Sequence, residues 1–259
     1  MTEVLPKAET GPSLVPGSYG TQRYGSDVIV DLLRGFGIPY AALNPGATYR
    51  GLHDSMVNYG GNRPEMILCT HEEIAVSIAH GYAKVTGKPM AAIVHDVVGL
   101  LHAAMTIYYA FIDRVPMILI GATGPLDRTR RRPYIDWIHS ALVQGNAVRD
   151  YVKWDDQPAT IADFPASFAR AYRIATTEPA GPVYLCYDAG LQEDELAAPV
   201  DVGPVVRAAL PTPAQADPRA LERAAEWLAG AERPVIVTEF TARHASAFDD
   251  LVALAEILG

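Results

Sequence analysis

Thr70-His71-Glu72-Glu73 stands where a short apolar run ending at Cys69 gives way to a segment of helical period. Thr70 with Glu73 three residues on has the pattern of a capping box, in which each side chain satisfies a backbone donor of the other, so Glu73 takes a structural role. Glu72 is left over on the strand-to-helix turn, followed by Ile74, Ala75, Ile78 and Ala79. Two readings stay open for it. In an apolar crevice its carboxyl pKa is raised and it can share a proton with a ligand near neutral pH. Facing solvent, it is a first-turn acid that favours the helix dipole. His95, in Val94-His95-Asp96, suits acid-base work at the end of another apolar run, or is a hydrogen-bonded loop histidine. His102, on the stretch through Ala103, Met105 and Tyr108, belongs to a pocket or is a satisfied core residue. No G-x-G-x-x-G, P-loop, G-x-S-x-G or H-E-x-x-H signature occurs, which removes simple dinucleotide, nucleotide-triphosphate, serine-hydrolase and zincin chemistry.

The elements that must position these residues alternate. Ser26-Asp27 precede a periodic segment with Val28, Ile29, Leu32 and Leu33, stopped by Gly35 and Gly37. A strand over 40–43 ends at the turn Asn44-Pro45-Gly46. Strands over 66–69, 91–94, 117–120 and 183–187 alternate with helices over 72–85, 100–111 and 164–174. Short apolar runs between amphipathic helices predict an α/β fold, a doubly wound parallel sheet with helices on both faces. Ligands of such sheets collect at the carboxyl ends of the strands, in the loops after Leu43, Cys69 and Val94.

Four regions follow. Residues 1–21, rich in Pro, Gly and Ser, read as an N-terminal arm; 22–190 are the α/β domain; 191–215, with Pro199, Pro204, Pro211 and Pro213, are a linker. Residues 216–259 read as the incomplete start of a second α/β domain, with a helix opened by Asp217-Pro218, a buried strand Pro234-Val235-Ile236-Val237 and a helix over 248–258. The 259 residues carry 21 Lys+Arg against 30 Asp+Glu, a net charge of −9, which argues against a nucleic-acid partner. The basic run Arg128, Arg130, Arg131 and Arg132 reads as a solvated loop and receives no role. Cys69 and Cys186 lie far apart in apolar stretches, as buried small hydrophobes of a reducing compartment do. No run approaches the ~18 apolar residues of a membrane span, and the first residues lack a signal peptide's apolar stretch, so a soluble cytoplasmic protein with no membrane partner is expected.

His71-Glu72-Glu73 followed by Ala79-His80-Gly81-Tyr82-Ala83-Lys84-Val85-Thr86-Gly87-Lys88-Pro89 resembles the H-E-x…A-x-G-Y-A-[RK]-x-T-G-[KR] stretch of thiamine-diphosphate (ThDP) enzymes. Gly37-Ile38-Pro39, Asn44-Pro45-Gly46, Asp113-Arg114-Val115-Pro116-Met117-Ile118 and Gly181-Pro182-Val183-Tyr184-Leu185 resemble that family's further landmarks in the same order. The resemblance covers residues 22–190, as the pyrimidine-binding domain, and more faintly 216–259, as the start of the central domain. It implies ThDP as cofactor and carries Glu72 onto the glutamate that contacts N1′ of the aminopyrimidine, with Asn44, Pro45 and Gly46 as the turn against that ring. It implies a small 2-oxo acid as substrate and the cofactor as the group that accepts the electron pair when carbon dioxide leaves. Asn44-Pro45-Gly46 and His95 resemble the benzoylformate-decarboxylase branch more than acetohydroxyacid synthases, with His95 and His102 as catalytic candidates and His139 third, in a segment that shapes substrate access in relatives. Ala47 replaces a common serine and His102 the asparagine of G-x-x-N, so substrate handling differs. No metal ligands are expected within these residues: the family's Mg2+ belongs to a diphosphate-binding domain with a G-D-G…N motif, which these residues do not contain. The resemblance therefore implies a diphosphate-domain partner or a longer chain, in a homodimer, tetramer or hetero-oligomer. A non-catalytic regulatory or scaffold subunit that keeps the fold is the alternative.

Overall fold

A computed structural model describes residues 20–259 except 209, 213 and 242–244, so the expected arm lies almost wholly outside the described residues, as does Pro213 of the expected linker. The chain divides into two compact units, Met1–Pro211 and Thr212–Gly259. In the first, strands β1 (Tyr40–Leu43), β2 (Glu65–Leu68), β3 (Ala91–Val94), β4 (Met117–Thr123), β5 (Trp154–Asp156) and β6 (Pro182–Asp188) form a six-stranded sheet in the order β2-β1-β3-β4-β6-β5. All its pairings are parallel. Parallel strands need crossovers, and helices α1 (Gly25–Gly35), α2 (Arg50–Asp54), α3 (Glu72–Thr86), α4 (Asp96–Ile112), α5 (Ile135–His139), α6 (Phe164–Thr176), α7 (Ala189–Glu193) and α8 (Gly203–Val206) lie along the connections or follow β6.

Alternate strand residues divide the core into two layers. Ala41, Leu43, Ile93, Ile120 and Leu185 pack with Val28, Ile29, Leu32 and Leu33 of α1 and Phe164 and Phe168 of α6. Ala42, Ala92, Val94, Leu119 and Tyr184 face the other way, against Ala75, Val76 and Ala79 of α3 and Leu100, Ala103 and Ile107 of α4. Both sheet faces are thus covered, as the short, fully apolar strands predict. From β1 the chain passes to β2 on one side, and β3 lies on the other. The winding reverses between β1 and β3, and the loops after these two strands bound the crevice. Asn44 follows the one and His95 the other.

Several local expectations are corrected. Helix α1 starts at Gly25, so Ser26 and Asp27 lie inside it, and the Asp27 carboxylate accepts from the N–H groups of Arg23 and Tyr24 at 2.7 and 3.0 Å. Gly25 opens the helix because a Cβ there would meet the Leu191 carbonyl oxygen. Gly37 and Gly87 have φ of 69° and 67° just beyond α1 and α3, where a side chain would be strained. The expected linker is structured in part: α7 and α8 fall within 189–206, and Val202 and Val206 are buried against the α1 and α6 layer. The edge strand β5 has no apolar run to announce it because it is only half-buried.

In the second unit, α9 (Pro218–Gly230) is capped by Asp217, which accepts from Arg219 and Ala220, and α10 spans Ala245–Leu258. The expected buried strand 234–237 is not a strand: Val235 and Val237 are 81% and 91% exposed. A strand needs a neighbour to satisfy its backbone, and the described residues of this unit supply none.

Two glycines of the first unit respond oppositely to a methyl group. A Cβ on Gly121 of β4 would lie 2.0 Å from the buried Tyr184 hydroxyl, so Gly121→Ala should lower stability by about 1–3 kcal/mol. Gly81, exposed within α3, has nothing within 4 Å, and Gly81→Ala should raise stability by about 0.5–1 kcal/mol. Urea unfolding of the two variants checks both signs.

Candidate active site

Glu72 is the first residue of α3 and is 5% exposed. Its Oε1 accepts from Asn44 Nδ2 at 3.0 Å, and Oε2 lies 3.2 Å from Nδ1 of His102, whose side chain is 57% exposed on α4. Burial pushes the carboxyl upward, but the Asn44 amide, its own backbone N–H and His102 outweigh burial and hold its pKa below the ordinary carboxylate value. This corrects the expectation of a raised pKa: the crevice is apolar in outline and polar at the one point where the carboxylate sits. It also decides the open reading, since Glu72 faces inward and not to solvent.

The capping box is corrected as well. His71, not Thr70, is the N-cap of α3, and its Nδ1 accepts from the Glu73 N–H at 3.2 Å. Glu73 is exposed.

Gly46 and Gly99 bring the backbone close to these groups. A Cβ on Gly46 would lie 2.4 Å from His95 Cβ, and one on Gly99 3.0 Å from Glu72 Oε1 and 3.2 Å from His95 Cβ. The Asn44 carbonyl accepts from the buried Tyr49 hydroxyl, which fixes the turn from below. Asn44, Gly46, Glu72, His95 and His102 thus meet in one place; Pro45 sits in the same turn.

His95 is held by two residues that sequence reasoning left without a role. Thr48 Oγ1 accepts from the Asp96 N–H at 3.3 Å and lies 3.0 Å from His95 Nδ1. Thr48 thereby ties the His95 ring to the first turn of α4. Burial, then the neighbouring His139, lowers the His95 pKa, so the ring is neutral at neutral pH. The ring of His139 stands edge-on to it at 5.4 Å, and His139 Nδ1 is buried with no hydrogen-bond partner among the described residues.

Asp96, fully buried at the start of α4, has φ of 28°, a conformation a side chain rarely adopts. Its carboxylate accepts from the Val97 N–H and from Gln144 Nε2 at 2.9 Å. Gln144 Oε1 in turn accepts from Tyr184. The signal was present: an acid directly after His95 on a strand-to-helix turn, and a hydroxyl at Thr48, one residue past Ala47. The basic run is likewise not simply solvated. Arg132 forms a two-pronged pair with buried Asp136 and donates to the Ala47 carbonyl at 3.3 Å, Arg131 lies over the Trp137 ring, and Arg130 pairs with Asp194.

Burial raises the Asp96 carboxyl from 3.8 to about 6. Between those values the folded protein keeps a proton that the unfolded chain releases, so this contribution to stability is present at low pH and is lost as pH rises through about 6. Its size is at most about 3 kcal/mol. Asp96→Asn should therefore flatten the change in unfolding free energy between pH 4 and pH 7 relative to the unaltered chain, as measured by urea titration at both pH values.

Comparison with known proteins gives this geometry its relatives. Residues 23–146 match the family model described as thiamine pyrophosphate enzyme, N-terminal TPP binding domain; thiamine pyrophosphate is ThDP. The chain is 30% identical over 168 residues to the acetolactate synthase large subunit of Haemophilus influenzae, covering 61% of this chain and 26% of that one. It is 29% identical over 239 residues to the probable 2-ketoarginine decarboxylase AruI of Pseudomonas aeruginosa, covering 91% and 38%. The solved benzoylformate decarboxylase of Polynucleobacter necessarius superposes with a TM-score of 0.76 at 25% identity, over 90% of this chain and 41% of that one. The chain spans about a quarter to two-fifths of the length of these relatives. The parallel sheet, the buried glutamate beside its switch point and these matches agree: residues 23–146 carry the N-terminal TPP binding domain of the thiamine pyrophosphate enzymes.

Proposed function

We propose that the chain is the pyrimidine-binding part of a ThDP-dependent 2-oxo acid decarboxylase or carboligase, completed by a diphosphate-binding domain or subunit that carries Mg2+. On this reading 22–190 form the pyrimidine domain and 216–259 the start of a central domain. The observation that carries the proposal is Glu72, a buried carboxylate beside His95, where Gly46 and Gly99 let the backbone approach both side chains closely. A ring nitrogen of the cofactor would meet this carboxylate, the acceptor that a protonated heteroaromatic nitrogen requires. The acetolactate synthase and the decarboxylases among the relatives support the reaction class.

When bound, ThDP supplies the carbanion and the electron sink for loss of carbon dioxide. The protein's residues supply position and protons. Glu72, held ionised by Asn44 and His102, is an acceptor for a protonated ring nitrogen and keeps that proton where the chemistry needs it. Asn44 keeps the carboxylate from rotating away. His102 connects the buried carboxylate to the exposed surface. His95 presents a neutral imidazole for proton exchange with a substrate oxygen, and His139 Nδ1 is a second polar atom in the same place. A cytoplasmic, reducing setting suits two buried free cysteines, Cys69 and Cys186. No helix among the described residues is long and apolar enough to cross a membrane.

Oligomerisation is supported by the outer face of α4, where Leu101, Met105, Tyr108, Tyr109 and Ile112 are all more than 40% exposed. Tyr108 and Tyr109, with their rings 6.5 Å apart, form the aromatic part of this exposed face.

In the enzyme assembled with its diphosphate-binding partner, Glu72→Gln should lower carbon dioxide release from a 2-oxo acid by about 10²–10⁴-fold. Full activity of Glu72→Gln would sink the catalytic reading and favour a scaffold role.

A further inference from the structure

His71, Glu72 and His102 bring two imidazoles and a carboxylate to one point, with ligating atoms that all lie within 4.8 Å of one another. The three come from two elements that the core packs together: His71 caps α3, Glu72 opens it, and His102 projects from α4. The two imidazoles are stacked, with centroids 4.9 Å apart and planes at 22°. Stacked imidazoles beside an ionised carboxylate bring nitrogen donors and negative charge to one position. Two imidazoles and one carboxylate are a donor set for borderline divalent transition metals, which bind at 2.0–2.2 Å and keep a fourth position for water. Mg2+ and Ca2+ prefer all-oxygen sets and are not matched.

We propose that His71, Glu72 and His102 form a site for a divalent transition metal of the zinc type, and that metal and ThDP exclude each other there. The site itself stands on geometry alone, whereas the exclusion rests on the cofactor reading of Glu72. The adjustments it needs are small. His102 is mostly exposed and turns freely. His71 must release one long bond, the 3.2 Å contact from the Glu73 N–H to Nδ1, so that this nitrogen takes the proton and Nε2 ligates. Glu72 moves from Asn44 and His102 to the ion. An ion on Glu72 neutralises the carboxylate and draws it away from the position where it would accept from a ring nitrogen, which is why occupancy by the ion opposes the cofactor.

Zinc titration of the 259-residue chain by calorimetry, without cofactor, should give one ion per chain. His71→Ala and His102→Ala should each weaken binding by roughly 10–100-fold. His80→Ala, on the same helix but bound to Asp113 at 3.0 Å, should leave it unchanged. Cobalt in place of zinc should give the visible absorption of a four-coordinate ion, lost in His102→Ala. Absence of saturable binding, or binding that His71→Ala and His102→Ala do not weaken, overturns the site whatever the cofactor does. In the assembled enzyme, zinc should raise the ThDP concentration needed for half-maximal activity, and His71→Ala should relieve that effect. Zinc binding that passes the first test but leaves the ThDP requirement unmoved overturns the exclusion and leaves the metal site standing.

Discussion

A carboxylate leaves water only where hydrogen-bond donors meet it, and the placement of Glu72 follows from that requirement. Its donors come from three directions: the Asn44 amide after β1, its own N–H at the start of α3, and the His102 ring on α4. Asn44 is itself fixed through its carbonyl by Tyr49. The first turn of α3, the end of β1 and the first half of α4 are therefore bound to one another through one ionised group. Removing any partner leaves the others facing an underbonded buried charge, a larger loss than one hydrogen bond.

A second node lies across the crevice and couples it to the sheet. Thr48 and Asp96 hold His95, Gln144 holds Asp96, and Tyr184 of β6 holds Gln144. Gly121 gives Tyr184 the space to reach in from the core layer. The half-buried His95 is joined to Tyr184, from β3 to β6, through the buried groups Thr48, Asp96 and Gln144, so the imidazole is positioned by the domain interior and not by a loose loop. The strained backbone at Asp96 is consistent with this: surrounding contacts must over-determine a residue kept at φ of 28°.

The strands and long helices were legible because burial on both faces writes continuous apolar runs, and helix periodicity survives in α3, α4 and α6. Glu72 was legible as the acid left over at a strand-to-helix turn, although its pKa direction was not, because Asn44 and His102 reach it only through the fold. The motif residues His80 and Lys84 sit apart from the site and clamp Asp113 at the entry to β4, so part of the resemblance records packing. Asp96 and Thr48 were missed since their roles depend on pairing across 48 positions. The error at 234–237 has another cause: an apolar, β-branched run is a strand only when a neighbouring strand exists to pair with it.

The exposure around Glu72 is uneven, and that unevenness has a physical meaning. The carboxylate is buried, yet Leu68 at the end of β2, Ile74 on the first turn of α3 and Leu101 beside His102 are 67%, 44% and 56% exposed. Protonation-state control needs a dry site, because water screens the charge interactions that set it. The inner wall of the crevice is complete, built by the sheet and its switch point, while the rim is apolar and uncovered. Surface of this kind contributes to stability only when another surface removes it from water, at roughly 25 cal/mol per Å2. Covering the rim would strengthen the electrostatics at Glu72 at the same time. On the proposed reading, closure of the site and association with a partner would be one event, driven by apolar contact and read out in the chemistry of a single carboxylate.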